Sequence, residues 1–156
     1  MCAIVDANVG HEVFDPSRQT EAGGFFYDWL MRPNGGTIVA GGNLLRELNR
    51  SEAFRRFFGE RLLANRARRI PDEPIAQAED GIRREGLNDS NDEHVLALAQ
   101  VTGARLLFTN DHALQQDFQN REIITGTRGR IYTTVERNDL RRTHRDLLRR
   151  GDLCNG

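Results

Sequence analysis

Short, wholly apolar runs alternate along this chain with stretches of helical period. The runs are Cys2-Ala3-Ile4-Val5, Thr37-Ile38-Val39-Ala40, Leu106-Leu107-Phe108, Ile123-Ile124 and Ile131-Tyr132. Each is too short for a helix and has no polar alternation, which predicts strands buried on both faces of a parallel sheet. Between them, Glu21 to Met31 carries Phe25, Phe26, Trp29 and Leu30 on one face, and the helix opened by Asn43 carries Leu44, Leu45 and Leu48. From Ser51 to Arg69 the helical pattern continues, with Phe54, Phe57, Phe58, Leu62 and Leu63 inward and Arg55, Arg56, Arg61, Arg66, Arg68 and Arg69 on the other side. Pro74 fits the first turn of a helix running to about Glu85. Further helices are predicted from Asn91 past Ala99, after Asp111 with Leu114 and Phe118 inward, and over 140–150 with Leu147 and Leu148 inward. Glycine and proline punctuate the joints, at Pro33-Asn34-Gly35-Gly36, Gly41-Gly42 and the loop 125–130. Strands alternating with helices predict an α/β three-layer sandwich, a mostly parallel central sheet flanked by helices, with the N-terminal strand at its centre.

At 156 residues and 17.7 kDa the chain is read as one domain over 1–156. Its net charge is only −1, so no global field points to nucleic acid, but all 22 basic residues are Arg and none is Lys. Biased codon usage accounts for that more simply than selection, although the planar guanidinium does suit phosphate. The lack of Lys excludes a P-loop, whose Lys sits on the phosphates, and the acid pockets of receiver-type and haloacid-dehalogenase-type enzymes. Cys2 and Cys154 lie at opposite ends of the chain, and no signal peptide or membrane span is visible. These features predict a cytoplasmic protein with free thiols, and two cysteines with four scattered histidines give no zinc spacing.

Four acids then change the picture. Ligands of an open parallel sheet bind beyond the carboxyl ends of its strands, and Asp6 and Asp111 stand at two such ends. Asp92 opens the helix that carries Val95, Leu96, Leu98 and Ala99, and Glu47 borders the buried face of the helix after Gly41-Gly42. Each like-charged pair near ~4 Å would cost about 4 kcal/mol at an effective dielectric of ~20. Such a cluster persists only with protons or cations, and hard oxygen donors favour Mg²⁺ or Mn²⁺. Taken singly, every acid has a plainer explanation: Asp6 as a helix cap, Glu47 as an exposed partner of Arg50, and Asp92 as a helix-start residue. His94 and His112 read as helix-surface residues, and Asp89 as a loop cap.

Together, IVDANV at 4–9, Glu47 after a glycine pair, NDEHVLALA at 91–99 and FTND at 108–111 resemble the PIN domain family. The resemblance spans residue 2 to about 125 and rests on the order and spacing of motifs that are individually weak. It implies a metal-dependent nuclease, usually acting on RNA, whose acids hold one or two divalent ions and which leaves a 5′-phosphate and a 3′-hydroxyl. By position, Asp6, Glu47, Asp92 and Asp111 match the family's acidic quartet, Asn8 and Thr109 its small polar supporting residues, and Asp117 an additional acid of some members. Members are often dimers, and some are toxins of toxin–antitoxin pairs, so an antitoxin protein and a second copy are implied partners. Arg55 and Arg56 are the expected contacts to the nucleic-acid backbone, against the default of a merely solvated face. The alternatives left open are a nuclease for DNA or structured RNA, and a catalytically silent module that binds RNA or protein.

Overall fold

The computed structural model describes residues 2–134 and 142–150. Five parallel strands form one sheet in the order β3-β2-β1-β4-β5: β1 (Cys2–Val5), β2 (Thr37–Gly41), β3 (Ala67–Ile70), β4 (Leu106–Phe108) and β5 (Arg130–Tyr132). Helices cover both faces, which makes the expected α/β sandwich, and the N-terminal strand is the central one. The helices are α1 (Gly10–Phe14), α2 (Glu21–Met31), α3 (Gly42–Leu48), α4 (Glu52–Leu63), α5 (Asp72–Glu85), α6 (Glu93–Thr102), α7 (His112–Gln119) and α8 (Arg142–Leu147). Residues of β1 and β4 are buried throughout, as strands flanked by helices on both faces must be.

The chain winds outward from β1 through β2 to β3, then returns to the other side of β1 for β4 and β5. The order therefore reverses between β1 and β4, and their carboxyl ends border the crevice where such sheets take ligands. Their register, Val5 opposite Phe108, sets Asp6 beside Thr109, and the Asp6 amide donates to Phe108 O at 2.9 Å. Aromatic residues fix the layer above this junction. Phe26 of α2 meets Phe108 and Tyr132 edge-on, with centroids 5.3 and 5.0 Å away. Across the sheet's other half, α5 packs on α6, and α6 on α3 and β2.

Three expectations need correcting. The helical pattern from Ser51 does not reach Arg69: α4 stops at Leu63, Asn65 turns the chain at φ 58°, and Ala67–Ile70 pairs with β2 as an edge strand. Ala67 and Ile70 are spaced as on a helix face, but the free edge of β2 pairs them as a strand with the two side chains on opposite faces. Leu63, expected inward, is 92% exposed. Second, Ile123 and Ile124 are buried but lie in a turn, with both amides bonded to Asn120 O, and β5 alone follows β4. Third, Cys2 is disulfide-bonded rather than a free thiol, and Cys154 lies outside the described residues. The expected C-terminal helix is present as α8, with Leu148 buried just after it; its expected first residues, 140 and 141, also lie outside. No helix among the described residues is long and apolar enough to cross a membrane.

Candidate active site

Asp6 is delivered by the end of β1 and is 3% exposed. Its backbone opens a short 3₁₀ turn, Ala7–Val9, yet its side chain makes no regular capping bond. Instead Oδ2 accepts from Thr109 Oγ1 at 2.7 Å, and the Asn8 amide faces the carboxylate. Burial pushes the Asp6 carboxyl above the usual carboxylate range, against the Thr109 and Asn8 bonds, and nearby Asp111 adds to the rise. Thr109 thus supports Asp6 through its hydroxyl. Asn8 does so through its backbone, since its side chain is exposed.

Thr109 also ties the two strand ends together, because the same Oγ1 accepts the Asp111 amide at 3.1 Å. Asp111 caps α7, accepting from Leu114 N at 3.2 Å through Oδ1. Asp92 occupies the N-cap of α6 but makes no side-chain cap bond, so the plain helix-start explanation does not hold for it. Its carboxyl too is held above the usual range, first by burial and then by Asp6, Asp111 and Glu47, with His94 opposing. Glu47 projects from α3, whose start needs the glycine pair: a Cβ on Gly41 would lie 2.6 Å from Ile70 O, and Gly42 takes φ +57°.

The Glu47 partner is His94 rather than Arg50, with Oε2 3.7 Å from Nε2. His94 was expected on the helix surface. Its side chain is 13% exposed, and its Nε2 is buried with no hydrogen-bond partner among the described residues. His94, in the first turn of α6, therefore faces inward rather than outward. His112 does lie on the surface, against Gln116.

These four acids are neighbours rather than a closed cage. Among the described residues, no three His, Cys, Asp or Glu side chains are gathered closely enough to enclose an ion as they stand. That falls short of the metal-bridging approach expected of Asp6, Asp92 and Asp111. Asp117 stands apart. It is 2% exposed, and its oxygens accept the amides of Asp89 at 2.9 Å and Ser90 at 2.8 Å. The additional acid thus holds the loop that leads into Asp92. Arg55 and Arg56 are exposed on α4; Arg55 donates to Asn49 O, and Arg56 lies 3.8 Å from Glu52.

One group of site-supporting residues went unseen in the sequence. Asn110, between Thr109 and Asp111, uses its whole amide: Oδ1 accepts from Thr133 Oγ1 and Thr134 N, and Nδ2 donates to Thr134 Oγ1 and Glu12 Oε2. Glu12 is 7% exposed and also accepts from Thr134 Oγ1 at 2.9 Å. Its signal was faint: one acid beside His11 in the short stretch from Val9 to Phe14.

No protein-family model matches the chain, and no curated protein sequence matches it. Among solved structures it is similar to the crystal structure of VapBC2 from Rickettsia felis bound to a DNA fragment from their promoter. The TM-score is 0.48 at 15% identity, over 85% of this chain and 98% of that one.

Proposed function

We propose that this chain is a divalent-metal-dependent endonuclease that hydrolyses RNA phosphodiester bonds at Asp6, Glu47, Asp92 and Asp111. One observation carries the reading: the acids converge where no guanidinium compensates them. The chain has 22 Arg, yet among the described residues none pairs with Asp6, Asp92 or Asp111, and the Glu47 partner is a histidine. Two of the four carboxyls are held up, Asp6 by burial and Asp111, and Asp92 by burial and the other three acids. The buried structural acids, Asp117 and Glu12, have both oxygens met by amide or hydroxyl donors, whereas Asp92 makes no cap bond; a group of acids without compensating charge suits a cation from solution.

The donor set fits Mg²⁺ or Mn²⁺, being all hard oxygens. Mg²⁺ keeps several waters and needs only one or two carboxylates, which suits neighbours that do not close into a cage. Asp6, Asp92 and Asp111 would hold such an ion, with Glu47 alongside. Bound there, it supplies Lewis-acid polarisation of the phosphoryl group and a more acidic water. Thr109 orients Asp6 and Asp111, and a carboxylate of the group would accept the proton of the attacking water. Departure of the 3′-oxygen leaves a 3′-hydroxyl and a 5′-phosphate. RNA as the substrate, a toxin role with an antitoxin and a second copy of the chain follow from the PIN resemblance and form part of this proposal.

The test is incubation of purified protein with mixed RNA and DNA in Mn²⁺, Mg²⁺ or EDTA, with sequencing of the ends. Cleavage of RNA that needs the metal and leaves 5′-phosphates is the expected result. Asp6→Asn keeps size and the Thr109 bond but removes a charge, so it should fold and lose cleavage by at least about a hundredfold, as loss of a metal ligand does. A folded Asp6→Asn protein that cuts at the wild-type rate overturns the mechanism.

A further inference from the structure

We propose that the groove between α1 and the α3–α4 junction takes the phosphodiester backbone of a nucleic-acid strand, with Arg18 and Arg50 as its phosphate contacts. The inference rests on the nuclease reading and adds to it where the strand lies. The groove encloses about 530 Å³ and begins at the candidate site, since Ala7 and Glu47 line it. Its floor is apolar and rigid: Phe14 and Phe54 meet edge-on at 5.1 Å, and both are buried.

The charges on its walls are unequally committed. Of its three acids, Asp15 accepts from Ser17 N at 3.0 Å and Ser17 Oγ at 2.8 Å, Glu52 lies 3.8 Å from Arg56, and Glu47 faces His94. Arg18 and Arg50 are exposed and make no ion pair among the described residues, although Arg18 and His11 both favour the charge on Asp15. The carboxylates keep their charge, so the groove is of mixed sign, and Arg18 and Arg50 are its two guanidiniums not tied to an acid. A cluster of four carboxylates repels a polyanion, so a strand reaching Asp6 needs its flanking phosphates neutralised nearby. Arg18 and Arg50 can do that beside the site, above a low-dielectric floor that strengthens each guanidinium–phosphate contact. Arg55 and Arg56, committed to Asn49 O and Glu52, are the less available pair. No aromatic face in the groove is open to stack a base, because Phe14 is 5% and Phe54 0% exposed. The groove thus reads backbone rather than sequence.

The experiment measures fluorescence anisotropy of end-labelled poly-U RNA and poly-dT DNA over a salt series, on an Asp6→Asn background so that strands stay whole. Arg18→Gln with Arg50→Gln should weaken binding about tenfold and reduce the salt slope by about 1.4, two contacts at ~0.7 each. Arg18→Lys with Arg50→Lys should retain most of the slope, and Arg55→Gln with Arg56→Gln should stay within about twofold of the parent. A loss in both arms supports a pure backbone contact, and a loss confined to RNA supports the same groove with RNA as its ligand. Wild-type affinity and slope in the folded Arg18/Arg50 variant overturn the proposal. So does a parent protein that binds neither strand, including one whose groove takes only a protein. Binding through Arg18 and Arg50 without cleavage by the unmutated protein would keep the groove and sink the nuclease.

Discussion

Asp6 and Asp92 carry protons more readily in the folded chain than in the unfolded one, since burial and neighbouring acids raise both carboxyls from an ordinary value of 3.8. The consequence for stability has a definite sign. Where the folded state binds more protons, stability falls as pH rises. Their contribution is complete below the unfolded value and is lost as pH climbs through the raised folded values. Metal-free protein should therefore lose stability on their account as pH rises above about 4, while Asp92→Asn should flatten that part of the curve and be no less stable at neutral pH. Urea melts across the pH range in EDTA check this. A variant with the full wild-type slope would mean that Asp92 is not crowded. Asp15 behaves oppositely: Ser17 holds its exposed carboxyl down, so its small support appears above the ordinary value and fades in acid.

Between elements, the site depends on residues that touch no substrate. Asp117, on α7, holds the loop before α6 by accepting two amides, and that loop sets where Asp92 begins its helix. Asp117→Asn would turn an NH₂ toward one of those amides, leaving two buried donors face to face. The expected cost is about 1–3 kcal/mol of stability in urea melts, with cleavage falling further than the lost stability explains, because Asp92 shifts. Unchanged stability and rate would return Asp117 to the role of an idle acid. Glu12→Gln makes the parallel test on the other flank. It leaves one of the Thr134 and Asn110 contacts mismatched, so amide exchange at Asp111 should quicken, with a stability cost of the same order as that of Asp117→Asn.

These same residues mark how far the sequence could be read. The strand at the centre, β4 and the place of Asp6 at a strand end were legible, because short apolar runs carry a strong local signal. Thr109 was expected as a support only from the family resemblance, and its bond to Asp6 spans 103 residues. Asp117, Glu12 and Asn110 were not assigned these roles because each acts on a partner distant in sequence: Asp117 lies 27 and 28 residues from the amides it holds, and Glu12 lies 98 from Asn110. The inward turn of His94 and the switch from helix to strand at Ala67 were hidden alike, since both depend on which neighbouring surface is free to pack. Arg61 and Arg66 show the same limit. Read as part of a solvated or phosphate-binding face, they donate to Leu30 O, Arg32 O and Gly35 O and fasten the end of α2.

For the molecule as a whole, the fold places its most crowded negative charge at the switch point of the sheet, where β1 and β4 part. The apo protein carries that repulsion as lost stability, and an ion that binds only the folded site should restore it. At an ion concentration about a hundredfold above its dissociation constant, the gain is about 2.7 kcal/mol. For a chain of this size that corresponds to a rise in melting temperature of roughly 5–10 °C. The rise should grow with the logarithm of Mn²⁺ concentration and reverse on adding EDTA. Asp6→Asn together with Asp111→Asn should abolish it, because both strand ends then lack their charge while the Thr109 hydroxyl still has an oxygen to bond. Replacing Glu60, an exposed acid of α4 outside the four, should leave the rise intact. If the double variant keeps the wild-type rise, the ion binds elsewhere on the surface, and the convergence of acids at the switch point would have to be explained without a metal.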